Sequence, residues 1–129
     1  MTKMEEKVIE KGTILVVARP NRWRDALCAL LATAPGMDVV GPVQDVSSAL
    51  RFINEHPPAL VLLDACLSDG EIEAMLKQIK TNNSPTRCIY LADNARQQQT
   101  ARLAGADDVL LKGRLTANLL AAVERFTCI

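Results

Sequence analysis

Six residues near the middle of the chain, Ala59-Leu60-Val61-Leu62-Leu63-Asp64, restrict the fold more than any other stretch. Five apolar side chains in unbroken succession leave no polar face for water. Bounded by Pro57-Pro58 and Ser68-Asp69-Gly70, so short a run reads as a strand covered on both faces, the arrangement of a parallel sheet. Asp64 then stands at the carboxyl end of a buried strand, the edge at which open α/β sheets bind ligands. A carboxylate placed there serves either chemistry or the capping of a turn.

The rest of the chain supplies partners for that strand. Thr13-Ile14-Leu15-Val16-Val17 is a β-branched run stopped by Ala18-Arg19-Pro20, and Trp23, Leu27, Leu30 and Leu31 follow at the spacing of one helical face until Pro35-Gly36. Met37-Asp38-Val39-Val40-Gly41 is a second strand, and Val46, Ala49, Leu50 and Ile53 repeat the helical stripe. After the central strand come a stripe of Ile72, Met75, Leu76 and Ile79, a strand at Cys88-Ile89-Tyr90-Leu91, and a weakly patterned helix over Asn94 to Gly105 whose buried side chains are Leu103 and some alanines. Val109-Leu110-Leu111 closes the strands, ahead of a final helix carrying Leu115, Thr116, Leu119, Leu120, Val123 and Phe126. Five alternating β and α segments predict a three-layer α/β fold, with a parallel sheet of order 2-1-3-4-5 as in flavodoxin-like proteins. Residues 1–12 form a charged lead-in, and 13–127 form one domain.

Composition fits this outline. A chain of 129 residues, 49% hydrophobic and 3% aromatic, builds one core from aliphatic side chains. Fifteen basic residues balance fifteen acidic ones, so no whole-chain field attracts nucleic acid or anionic membrane. Cys28, Cys66, Cys88 and Cys128 are widely spaced, which suits reduced thiols in a cytoplasmic protein, and His56 as the only histidine argues against a zinc site. No signal peptide or membrane span is expected.

The strands deliver to the carboxyl edge Ala18 and Arg19, then Asp64, then Ala92 and Asp93, then Lys112. Together, Ile14-Leu15-Val16-Val17 before a proline turn, Val61-Leu62-Leu63-Asp64, and Gly105-Ala106-Asp107-Asp108-Val109-Leu110-Leu111-Lys112 resemble the receiver domain of bacterial two-component response regulators, from Gly12 to Phe126. The closest type precedes a helix-turn-helix output domain. The resemblance implies phosphorelay signalling, with Asp64 at the phosphoacceptor position and Lys112 at that of the family's lysine. Other family positions are replaced. The Mg²⁺-binding acid pair reads Ala18 and Arg19, the switch Thr or Ser reads Ala92, the switch aromatic reads Val109, and the usual Met-Pro after the acceptor reads Leu67-Ser68.

These replacements bear on chemistry. Mg²⁺ wants near-octahedral oxygen ligands, and two carboxylates of the family's pocket are missing here. Three acids and one lysine give the family pocket two negative charges, whereas Asp64, Arg19 and Lys112 give this one a single positive charge. Unit charges about 4 Å apart interact by roughly 4 kcal/mol at an effective dielectric of about 20, comparable with a millimolar metal affinity of about 4 kcal/mol. The expectation is therefore no cofactor, with Mg²⁺ held weakly or not at all, and Asp64 in an ion pair with Lys112, Arg19 or both. Arg19 pointing into solvent, and a metal site rebuilt from Asp69 or Asp93, are the alternatives. The domain then works as a non-enzymatic, degenerate receiver by contact with a protein, either a histidine kinase or another regulator, with no direct nucleic-acid or membrane binding.

Two other functions compete. An ordinary Mg²⁺-dependent phosphoacceptor at Asp64, cut from a longer DNA-binding regulator, is one, and an anion- or nucleotide-binding module using Arg19 and Lys112 is the other, although no Gly-rich phosphate loop supports it. In the family, self-association or docking uses the fourth helix, fifth strand and fifth helix, where this chain places Arg96, Gln97, Gln98, Gln99 and Arg102. Cys66 beside Asp64 is either a redox thiol with its pKa lowered by Lys112 or an ordinary loop cysteine.

Overall fold

A computed structural model of the chain describes residues 10–33, 36–65, 67–81 and 85–127. Cys66, Cys128 and the lead-in before Glu10 lie outside the described residues. The strands are β1 (Glu10–Val17), β2 (Asp38–Val43), β3 (Pro58–Asp64), β4 (Arg87–Ala92) and β5 (Asp108–Leu111). Between and after them run α1 (Arg22–Leu31), α2 (Val46–Glu55), α3 (Asp69–Thr81), α4 (Ala95–Ala104) and α5 (Leu115–Thr127), the last entered through a 3₁₀ turn at Lys112–Arg114. Neighbouring strands pair in parallel in the order β2-β1-β3-β4-β5. This is the predicted flavodoxin-like topology.

The central run behaves as a doubly covered strand must: every residue of β3 is buried. Its side chains alternate between two cores because successive residues of a strand point to opposite faces. Leu60 and Leu62 join Ile14, Val16, Ile89 and Leu91 under α1 and α5, whereas Val61 and Leu63 join Leu15, Val17, Tyr90 and Val109 under α2, α3 and α4.

Several boundaries differ from the sequence reading. β1 begins at Glu10, where it pairs with Pro58 before a register irregularity. β2 continues through Pro42, which is tolerated because β2 is an edge strand and Pro there withholds no interior ladder bond. Within α4 the buried residue is Ala101, while Leu103 is 78% exposed, contrary to expectation. Its ends, more than its faces, define this helix. The Asn94 side chain accepts from the Gln97 N–H at 2.9 Å, and Gly105 closes the helix in the left-handed region at φ 104°.

Candidate functional site

The carboxyl ends of the strands bring together the residues singled out by position. Asp64 ends β3 with 1% of its side chain exposed, and its Oδ1 lies 2.5 Å from Lys112 Nζ just beyond β5. The same ammonium is 3.2 Å from Asp93 Oδ1 after β4. Its remaining side is covered by Trp23, whose ring centroid lies 4.2 Å away in the first turn of α1. Lys112 thus links the ends of three strands and one helix through a single charge. Asp64 depends on it: apart from this ion pair, neither carboxylate oxygen accepts a hydrogen bond from the described residues.

Arg19 goes elsewhere. Rather than joining Asp64, it donates to Glu71 at the exposed rim of the site, with distances of 3.2 Å to Oε2 and 3.4 Å to Oε1. Glu71 is positioned by the sequence Ser68-Asp69-Gly70-Glu71, a capping box at the start of α3. Its Oε1 accepts from the Ser68 N–H at 2.7 Å, and its own N–H reaches the Ser68 hydroxyl at 3.2 Å. The Ser68 N–H above all, then the Ser68 hydroxyl and the Arg19 guanidinium, hold the Glu71 carboxyl below the ordinary glutamate range against the opposing effect of desolvation. On its other flank α3 offers Asp69, 3.2 Å from Arg96 Nη1 of α4. The first turn of α3 is therefore tied to the end of β1 on one side and to α4 on the other.

This arrangement corrects the charge assigned from sequence. Asp64, Asp93 and Glu71 face Arg19 and Lys112, so the cluster carries one net negative charge rather than one positive. Each cation of the anion-binding alternative already has carboxylate partners. Charge sign gives no reason for a dication to avoid the crevice. The donor atoms do: Ala18 is buried and has no side-chain oxygen, Arg19 is itself a cation, and among the described residues no three acidic, histidine or cysteine side chains are grouped to hold a metal ion. The residues present do not fit octahedral Mg²⁺ coordination.

Ala92 is fully buried at the end of β4, and the next residue, Asp93, has its N–H taken by Gln97 Oε1 at 2.7 Å. Val109 is buried on β5 in register with Tyr90 of β4. Tyr90 is the chain's single tyrosine, and burial, followed by the carboxylates of Asp69, Asp64 and Asp93, pushes its phenol up to about 12. Cys88 and Cys28 are free thiols, and desolvation raises Cys88 to about 12. Trp23, Glu71 and the Asp93 pairing were not expected as parts of the site. The capping-box spacing could have revealed Glu71, and a lone tryptophan opening the helix after β1 could have revealed Trp23. No spacing rule foretells the reach of Asp93 to Lys112.

Comparison with known proteins agrees with the geometry. The family described as the response regulator receiver domain matches residues 14–124. Among solved structures, the response regulator domain of Thermotoga maritima CheB is 25% identical, with a TM-score of 0.73, and the alignment covers 93% of this chain and 98% of that one. The signal receiver domain of the NarL response regulator from Mycobacterium tuberculosis shares the fold at 23% identity and a TM-score of 0.73, covering 89% of this chain and 98% of that one. That of a signal transduction histidine kinase from Syntrophus aciditrophicus does so at 22% identity and a TM-score of 0.75, over 90% and 89% of the two chains. Among curated proteins no match was found. A family match over residues 14–124, on a five-stranded parallel sheet of this order, puts this chain in the response regulator receiver domain family, the signalling modules of two-component systems.

Proposed function

We propose that this receiver domain transmits its signal through protein contacts without a Mg²⁺-dependent phosphorylation cycle at Asp64. The observation that carries the reading is the state of the acceptor carboxylate. Asp64 is 1% exposed, and its Oδ1 is held 2.5 Å from Lys112 Nζ. Phosphoryl transfer needs an in-line approach and a cation to offset developing charge on the transferred group. Here the positions that supply metal oxygens in the family are Ala18 and Arg19, and the Arg19–Glu71 and Arg96–Asp69 pairs brace the first turn of α3. Lys112 supplies one positive charge, but it is divided between two carboxylates.

Incubating the protein with acetyl phosphate and Mg²⁺ tests the reading by intact mass. The expected result is no added phosphoryl group in either the parent or Asp64→Asn. Stoichiometric addition to the parent that Asp64→Asn abolishes would favour the ordinary phosphoacceptor, the second reading, which draws on the retained Asp64 and Lys112. Millimolar Mg²⁺ is expected to leave the melting temperature unchanged, since a ligand that binds the native state raises it.

The partner in this reading is a histidine kinase or another regulator. The face formed by α4, β5 and α5 is a candidate for that contact and for a homodimer. It exposes Arg96, Gln99 and Arg102, whereas Gln97 and Gln98 are half-buried. Light scattering of Arg102→Glu against the parent reads the dimer directly. No helix among the described residues is long and apolar enough to cross a membrane.

A further inference from the structure

We infer that Asp93 is a positioning residue that couples the charge on Asp64 to the first turn of α4 through Lys112, a route that needs no hydroxyl on Ala92. The coupling does not depend on phosphorylation, because it requires only one ammonium shared by two carboxylates. Lys112 Nζ lies 2.5 Å from Asp64 Oδ1 and 3.2 Å from Asp93 Oδ1. Ammonium–carboxylate hydrogen bonds typically span about 2.7–2.9 Å, so the lysine sits toward Asp64 and its contact with Asp93 is stretched. Burial favours the same side. The Asp64 side chain is 1% exposed and that of Asp93 53%, so the first attraction is little screened and the second largely so. A neutral group at position 64 releases the ammonium to Asp93.

The end of β4 leaves that ammonium as the link. Ala92 is fully buried and its methyl group has neither donor nor acceptor, so no side-chain hydrogen bond joins it to Asp64. Among the described residues, the ion pairs that connect Asp64 to the junction of β4 and α4 run through Lys112 to Asp93.

Asp93 is in turn fastened to the helix behind it. Its N–H donates to Gln97 Oε1 at 2.7 Å, the Gln97 N–H donates to the Asn94 side chain at 2.9 Å, and the Gln98 N–H donates to the Asn94 carbonyl at 3.1 Å. These bonds close a ring from Asp93 through Asn94 to Gln97, so a displacement of Asp93 carries the first turn of α4 with it. Little resists that displacement. Ala101 is the one buried residue of α4, and the Arg96–Asp69 pair that ties the helix to α3 is exposed. Coupling of this kind acts in both directions: a partner that shifts α4 alters the hold of Lys112 on Asp64.

The test compares resonance shifts among variants of the full chain, with no phosphodonor or Mg²⁺ present, so its outcome is separate from that of the phosphorylation assay. Asp64→Asn removes the acceptor charge and leaves Lys112 the Asp93 carboxylate as partner, so the ammonium is not stranded. This variant is expected to shift the Lys112 Cε resonance and the amides of Asp93, Gln97 and Gln98. In an Asp93→Ala background the same substitution should still shift Lys112 Cε, while the response at Gln97 and Gln98 is lost. Asp93→Asn, which keeps the shape without the charge, should behave as Asp93→Ala does, and Asp93→Glu should restore the response; melting curves check that each variant folds. A response at Gln97 and Gln98 that survives both Asp93→Ala and Asp93→Asn would overturn the proposal, since Asp64 would then act on α4 by another path. Unshifted Gln97 and Gln98 amides in Asp64→Asn alone would do the same.

Discussion

At Asp64 a carboxylate is kept from water with one ammonium as its described partner. Removing the partner of a buried ion is far costlier than removing both members, because the remaining charge is left uncompensated. Lys112→Met is therefore expected to lower stability in urea unfolding by about 3–5 kcal/mol, and Asp64→Leu added to Lys112→Met should recover most of that loss. Tyr90 offers a second reading of the same charges. Its phenol is expected to ionise near 12 in a near-ultraviolet absorbance titration. Because the folded state keeps the phenolic proton after the unfolded chain has lost it, stability should fall as pH rises from the ordinary tyrosine value of about 10 towards 12.

Among the elements, α3 and α4 show what ends contribute when faces are weak. Ser68→Ala removes the hydroxyl from the capping box and is expected to cost about 1 kcal/mol, while the Glu71 carboxyl keeps the Ser68 N–H that most lowers its pKa. That depressed pKa means the contribution of Glu71 is present above the ordinary glutamate value and is lost as pH falls through the folded one. A carbon-detected titration should place the Glu71 midpoint below that ordinary value. Gly105→Ala forces a side chain into a backbone at φ 104° and against Lys80, and is expected to lower the melting temperature. The strands were legible because Leu60 to Leu63 and Ile14 to Val17 have no polar alternative. α4 is legible only through Asn94 and Gly105, and its inward face is only partly so: the alanines expected there include the buried Ala101, but Leu103 turns outward, since a stripe of Ala101 and Ala104 carries almost no hydrophobic signal.

For the molecule as a whole, the parallel order and the residues at each strand end followed from the sequence, since strand parity and short loops fix which side chains reach the carboxyl edge. What did not follow was who pairs with whom there. Arg19 could have reached Asp64 by chain position, but the capping box places Glu71 within hydrogen-bonding distance of its guanidinium. Pairing across loops depends on rotamers and helix starts a few ångströms apart, and linear spacing does not encode those. The sheet also keeps its two ends distinct, with Asp64 and its partners at the carboxyl edge and a pocket lined by Lys80 and Arg87 at the amino edge.

Trp23, the chain's sole tryptophan, rests on the ammonium that neutralises Asp64. The intrinsic emission of the protein is thus a built-in optical gauge of that one charge. Any binding partner, ion or substitution that draws Lys112 out from under the indole should register as a change in colour or brightness, with no label attached.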